Sequence, residues 1–134
     1  MGYNIHMETG KIKILLVDDD KFLLDMYAMK FQKSGLDVDT APNGTVALEK
    51  LKSGEKPDVI VLDIIMPGMD GIEILKNIKQ ENLAPQTTIV MLTNQPNETE
   101  KVKSLGVDGY IVKATSIPSE VVSEVLKIHN NKKK

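Results

Sequence analysis

The chain has 134 residues, 41% of them apolar and 27% charged, with a formal net charge of -2. That is enough for one globular domain burying about two thirds of its unfolded surface, and the balanced charge gives no support to non-specific nucleic-acid binding. Zero cysteines exclude a disulfide frame, a thiol nucleophile and a cysteine-held metal, and apolar runs of at most four or five residues fall far short of a membrane span.

Met1 to Gly10 has no usable periodicity, and His6-Met7 looks like the junction of an appended tail. The domain is expected over about Lys11 to His129, followed by a frayed basic tail from Asn130 to Lys134. Lys11 to Val17 reads as a first strand ending in Asp18-Asp19-Asp20, where Asp20 can cap the next helix. From Lys21 to Ser34, Phe22, Met26 and Met29 share one helical face, with Leu23 and Tyr27 beside them, and Gly35 closes the helix. Leu36 to Thr40 alternates apolar and polar residues, which suits an edge strand. Pro42-Asn43-Gly44 turns the chain into a second helix, about Thr45 to Ser53, built on Val46, Ala47, Leu48 and Leu51.

Val59-Ile60-Val61-Leu62 then runs into Asp63 without alternation and ahead of a Pro67-Gly68 break, the pattern of a parallel strand buried on both faces. A third helix starts at Gly71 on a stripe of Ile72, Leu75 and Ile78, with Ile74 adjacent and Asp70 stabilising the loop before it. Thr87 to Leu92 makes a fourth strand ending in Thr93-Asn94. Glu98 to Leu105 is a weak helix anchored by Val102 and Leu105 and stopped by Gly106. Gly109 to Val112 is a short strand ending at Lys113, and the last helix runs from about Ser119 to His129 on Val121, Val122, Val125, Leu126 and Ile128.

Five strands alternating with five helices predict an α/β fold, a doubly wound parallel sheet with helices on both faces. The loop after the first strand, Asp-Asp-Asp-Lys, lacks the glycines that bring a backbone up to a pyrophosphate, and no phosphate-cradling Gly-x-x-x-x-Gly-Lys-Ser/Thr run occurs. His6 and His129 lie in the outer segments, which argues against a histidine-rich zinc site.

Asp18 and Asp19, Asp63, Thr93 and Lys113 stand at the ends of four strands, which in a doubly wound sheet of order 2-1-3-4-5 share one edge. Singly, each reads as a turn, cap or solvated residue; their joint placement points to a site. Clustered carboxylates repel unless a cation is present, and Mg²⁺ suits a few carboxylates with retained waters and a phosphate oxygen. Lys113 and Thr93 can reach other phosphoryl oxygens, and Asp63 is placed as the nucleophile of a phosphoryl transfer.

These residues carry a family resemblance. The stretches 14–20 (Ile-Leu-Leu-Val-Asp-Asp-Asp), 62–71 (Leu-Asp-Ile-Ile-Met-Pro-Gly-Met-Asp-Gly), Met91-Leu92-Thr93 and 106–113 (Gly-Val-Asp-Gly-Tyr-Ile-Val-Lys) resemble the receiver domain of bacterial two-component response regulators, whose fold is flavodoxin-like. The resemblance covers about Lys11 to His129. It implies that Asp63 accepts a phosphoryl group from a sensor histidine kinase or histidine phosphotransfer domain. It implies Mg²⁺ held by Asp19 directly, by Asp18 through water, by Asp63 and by the Ile65 carbonyl. Thr93 is implied as the mobile hydroxyl, Tyr110 as the aromatic residue that reports its movement, and Lys113 as the phosphate-contacting lysine. Ile65, Asn94 and Gln95 stand where the family tunes the site and its phosphoryl lifetime. Such a domain catalyses its own phosphorylation and dephosphorylation but no independent metabolic reaction. Phosphorylation biases a two-state surface, typically that of the fourth helix, fifth strand and fifth helix, with phosphorylation-dependent dimerisation among the outcomes.

Two departures stand out. Asn94 replaces the usual small residue after the hydroxyl, and Ala114 replaces the usual proline after the lysine. A cis bond without proline costs about 2.5–4 kcal/mol, so a trans bond and a rearranged 113–118 loop are expected. The reading is a cytoplasmic switch acting on a downstream target or output domain outside this chain, without membrane or nucleic-acid binding of its own. A degenerate receiver serving as a constitutive interaction module is the nearest rival. A flavin carrier would need a hydroxyl- and glycine-rich phosphate loop where Asp18 to Asp20 stand. An aspartate-nucleophile phosphatase would commonly carry a second acid where Ile65 stands.

Overall fold

A computed structural model describes residues 10–94, 103–113 and 116–133. The elements run β1 (Lys13–Val17), α1 (Lys21–Lys33), β2 (Asp37–Ala41), α2 (Gly44–Lys52), β3 (Val59–Asp63), α3 (Gly71–Gln80), β4 (Thr88–Thr93), β5 (Gly109–Val112) and α4 (Pro118–Lys133). All strand pairs are parallel, in the order β2-β1-β3-β4-β5. The doubly wound sheet is therefore as expected, with Asp37–Ala41 at its edge. Four full helices are seen among the described residues; the helix expected over Glu98 to Leu105 falls mostly outside them, its described part being helical at Lys103 and a turn over 104–106.

Strand alternation divides the core in two. Leu15, Val17, Ile60, Leu62, Ile89 and Met91 pack with α2 and α3 through Ala47, Leu48, Leu51, Ile74, Leu75 and Ile78. Ile14, Leu16, Val59, Val61, Val90, Leu92 and Ile111 pack with α1 and α4 through Leu24, Tyr27, Phe31, Val121, Val122 and Val125. Both faces of β1, β3 and β4 are thus covered, which is why those strands read as continuous apolar runs. Helix starts are fixed by side-chain caps: Asp20 accepts from Leu23 N at 3.1 Å, Asn43 from Val46 N at 2.9 Å and Asp70 from Glu73 N at 2.9 Å.

Two expectations are corrected. The buried face of α1 is Leu24, Tyr27 and Phe31, whereas Phe22 and Met29 are 76% and 54% exposed. The helix carries two apolar stripes of helical period, and docking turns the one with Tyr27 and Phe31 to the sheet. The last helix does not end at His129 with a frayed tail but continues to Lys133. His129 is buried and its Nδ1 lies 2.7 Å from Thr88 Oγ1, while Lys132 Nζ donates to Thr87 O at 2.8 Å and Asp108 Oδ2 at 3.0 Å. These bonds give the last turn tertiary anchors, and lysines there also complement the helix dipole.

Candidate functional site

The parallel register brings the chemistry to one edge. Val17 pairs with Leu62, Asp63 with Leu92, and Thr93 with Val112. Asp18 and Lys113 each follow the last residue of their strand, and Asp63 and Thr93 are the last residues of theirs. Two-residue alternation puts Asp18, Asp63 and Lys113 on the α1/α4 side of the sheet and Thr93 and Tyr110 on the α2/α3 side; Tyr110 indeed packs against the α2/α3 core.

Local backbone contacts hold the acids in place. Asp18 N donates to Ala41 O at 3.2 Å, and Asp18 Oδ1 accepts from Asp20 N at 3.0 Å, which ties the acidic loop to its own carboxylate. After Asp63, Ile64 N donates to Leu92 O at 3.0 Å and Gly71 N donates to Ile64 O at 2.8 Å. A Cβ at position 71 would lie 2.3 Å from the Asp63 carbonyl oxygen and 2.9 Å from Ile64 Cα. Both neighbours are backbone, so only glycine lets α3 begin this close to the end of β3.

The site is buried and charged. Asp18 is 3% exposed, Asp63 5% and Thr93 1%, while Asp19 faces solvent. Lys113 Nζ lies 3.0 Å from Asp63 Oδ1 and 3.3 Å from Asp18 Oδ2, bridging the two buried acids. Burial pushes the Asp63 carboxyl up to about 6; Lys113 opposes this, and Asp18 and Asp19 add to it. Burial alone would lower the Lys113 ammonium, but Asp63 and then Asp18 outweigh it and hold the pKa above its ordinary value.

Asp18, Asp19 and Asp63 each offer a carboxylate oxygen, all within 4.8 Å of one another. Opposite ligands of an octahedral Mg²⁺ ion stand about 4.2 Å apart and adjacent ones about 3 Å, so the three oxygens are spaced on the scale of a hard-cation site. Oxygen ligands alone, without nitrogen or sulfur, suit a hard divalent cation such as Mg²⁺, Ca²⁺ or Mn²⁺. The Ile64 carbonyl is engaged by Gly71 N, and no described residue hydrogen-bonds the Ile65 carbonyl, whose side chain is 55% exposed.

The residues expected to meet are thus brought together: Asp18, Asp19, Asp63 and Lys113 in direct array, and Thr93 at the adjacent strand end. Tyr110 is half-buried with Lys103 Nζ 5.5 Å from its ring centroid. Asn94 is exposed; Gln95 lies outside the described residues, and of the 113–118 loop expected to rearrange only residues 114 and 115, Ala114 among them, do; Ser116 N donates to Lys113 O at 3.2 Å. One nearby group escaped the sequence reading. Tyr27, set beside the helix face there, is buried in the core on the sheet side and shares a small cavity with Asp18. Its signal was spacing: Leu24, Tyr27 and Phe31 follow a helical period of their own.

This fold and acidic edge define a receiver, and the comparisons agree. Residues 14–125 match the response regulator receiver domain, and the chain belongs to that family. It is 43% identical to the alkaline phosphatase synthesis transcriptional regulatory protein PhoP of Bacillus subtilis over 84% of this chain and 46% of that protein. The chain spans about half the length of the curated relatives it matches. Among solved structures, the chemotaxis protein CheY4 of Vibrio cholerae is 31% identical with a TM-score of 0.79, covering 88% of this chain and 98% of that one. The response regulator TrrA of Thermotoga maritima, solved in complex with Mg²⁺ and BeF, is 32% identical with a TM-score of 0.75, covering 87% and 98%. No helix among the described residues is long and apolar enough to cross a membrane.

Proposed function

We propose that this chain is a phosphorylation-dependent signalling switch whose phospho-acceptor is Asp63. The observation that carries the reading is the buried array in which Lys113 bridges Asp63 and Asp18 while Asp19 stands within metal-sharing distance. The domain would span about Lys11 to His129, with Asp18, Asp19, Asp63 and the Ile65 carbonyl holding Mg²⁺. That ion would neutralise the acids and shield charge on the transferred phosphoryl group.

In transfer, an Asp63 carboxylate oxygen forms a bond to phosphorus while the P–N bond of a donor phosphohistidine breaks, its electron pair returning to the imidazole nitrogen. Lys113 Nζ turns from the carboxylates to a phosphoryl oxygen, and the Thr93 hydroxyl donates to another. Thr93 and Tyr110 lie on one side of the sheet, next to the paired Met91 and Tyr110 positions. Movement of Thr93 would thereby reach the Tyr110 ring and the surface around β5. Hydrolysis of the aspartyl phosphate by water resets the switch, with Ile65, Asn94 and Gln95 setting access to it. The partners are a sensor histidine kinase or histidine phosphotransfer domain upstream and a protein target or output domain downstream, in the cytoplasm.

Intact-protein mass after incubation with acetyl phosphate and Mg²⁺ tests this. The expected result is a gain of one phosphoryl group that disappears without metal and in Asp63→Asn. A chain that a phosphorylated kinase domain of its own system also fails to label would instead be a degenerate receiver, acting as a constitutive interaction module.

A further inference from the structure

Tyr27 is 6% exposed and sits on the inner face of α1, on the same side of the sheet as Asp18, Asp63 and Lys113. Its phenol is within electrostatic reach of Lys113, Asp18 and Asp63, and burial pushes its pKa up, so at neutral pH it remains a protonated donor. No described residue hydrogen-bonds that hydroxyl. A buried donor without a partner among the described residues costs about 1–3 kcal/mol, which a leucine or phenylalanine here would avoid. Tyr27 and Asp18 also line a common cavity of about 10 Å³, together with Leu16, Leu24, Val61 and Val121. Its lining is almost wholly apolar, which makes it spare room rather than a water site.

Both carboxylate oxygens of Asp18 already have donors. Asp18 Oδ2 is taken by Lys113 at 3.3 Å and Oδ1 by Asp20 N at 3.0 Å. A cation shared by Asp18, Asp19 and Asp63 competes with the ammonium for the same oxygens. Resting on the receiver reading above, we propose that Tyr27 is a positioning residue for the metal-loaded site. With a cation held by Asp18, Asp19 and Asp63, Lys113 would give up its contact with Asp18 and the Tyr27 hydroxyl would donate to the carboxylate oxygen so released, the adjoining cavity leaving the ring room to reach it.

The test is a Mg²⁺ titration of the whole chain, followed by calorimetry and by near-ultraviolet difference absorbance, on wild type, Tyr27→Phe and Tyr110→Phe. Outer-shell partners of metal ligands are typically worth 10–100-fold in affinity. Tyr27→Phe is therefore expected to bind Mg²⁺ about 10-fold more weakly and to lose a tyrosine difference band that Tyr110→Phe keeps. In chelator, Tyr27→Phe should be at least as stable in urea as wild type, since it gives up only a hydroxyl that no described residue hydrogen-bonds. Affinity within twofold of wild type, or a band that survives in Tyr27→Phe, overturns the proposal and leaves Tyr27 as core filling. Absence of Mg²⁺ binding by wild type overturns the phosphorylation-switch reading and the proposal with it.

Discussion

At the scale of single residues, the site stores a conflict between burial and charge that makes two substitutions informative in metal-free protein. Asp63 has a folded-state pKa of about 6, above the ordinary 3.8, chiefly through burial. Above pH 6 the group is ionised in both folded and unfolded chains, and folding bears the cost of burying it. As pH falls from 6 towards 3.8 the folded state takes up the proton first, so this contribution to stability grows as pH falls through that window. Asp63→Asn removes the cost. In chelator it should exceed wild type at pH 7.5 by on the order of 2–3 kcal/mol, with the gap closing towards pH 4 in urea denaturation. Lys113→Ala acts in the opposite sense. Its ammonium is the cation bridging Asp18 and Asp63, with a side chain only 9% exposed, and removing one partner of a buried ion pair costs about 3–5 kcal/mol. The same change removes the ion's competitor, so Lys113→Ala is expected to bind Mg²⁺ more tightly, to recover much of its lost stability when Mg²⁺ is added, and to label poorly with acetyl phosphate. Loss of stability that Mg²⁺ does not restore would mean that the lysine stem, not its charge, supports this edge.

At the scale of elements, legibility in the sequence followed how much each segment's pattern was decided locally. Val59–Asp63 was readable because a strand covered on both faces has no polar alternation to blur it, and its terminal acid had nowhere to go but the sheet edge. The two apolar stripes of α1 show the limit: periodicity finds both, and only docking on the sheet selects Leu24, Tyr27 and Phe31 over Phe22 and Met29. The polar end of α4 was illegible for a similar reason. Residues Asn130 to Lys133 look like tail until the long-range contacts of His129 with Thr88 and of Lys132 with Asp108 are seen. Those contacts predict that His129→Ala, which leaves the Thr88 hydroxyl without its 2.7 Å partner and opens a buried space, costs about 2 kcal/mol. Amide hydrogen exchange should show the loss concentrated in the last two turns of α4, with β3 protection reduced only in proportion to global stability. Gly71 belongs to the same scale, since the fit of α3 onto β3 depends on it. Gly71→Ala forces a Cβ against the Asp63 carbonyl 2.3 Å away, which should cost about 1–3 kcal/mol in urea denaturation and impair acetyl phosphate labelling as the Asp63 loop shifts.

For the molecule as a whole, the doubly wound topology places Asp18, Asp63, Thr93 and Lys113 on one rim, so under the proposed function a macromolecular phosphoryl donor would have to cover that rim. Phe22, Ile65 and Ile117 are 76%, 55% and 61% exposed. They lie on the chain segments that follow the acidic loop, Asp63 and Lys113 respectively. Apolar side chains this exposed give a folded monomer little, while an apolar anchor covered by a partner contributes about 1–2 kcal/mol or more to association. A small donor such as acetyl phosphate has no surface with which to cover them. Phe22→Ala and Ile117→Ala alter no group of the acidic array, so each should leave the rate of Mg²⁺-dependent labelling by acetyl phosphate within twofold of wild type. Each should lower the apparent second-order rate of transfer from a phosphorylated kinase domain about 10-fold, the factor that 1.4 kcal/mol of lost contact gives. Parallel quench-flow or mass measurements with the two donors read this ratio directly. If both donors slow equally, the substitutions act on the acidic array or on folding, and the rim is not where the donor binds; if neither slows, the donor approaches over the other, polar side of the same edge.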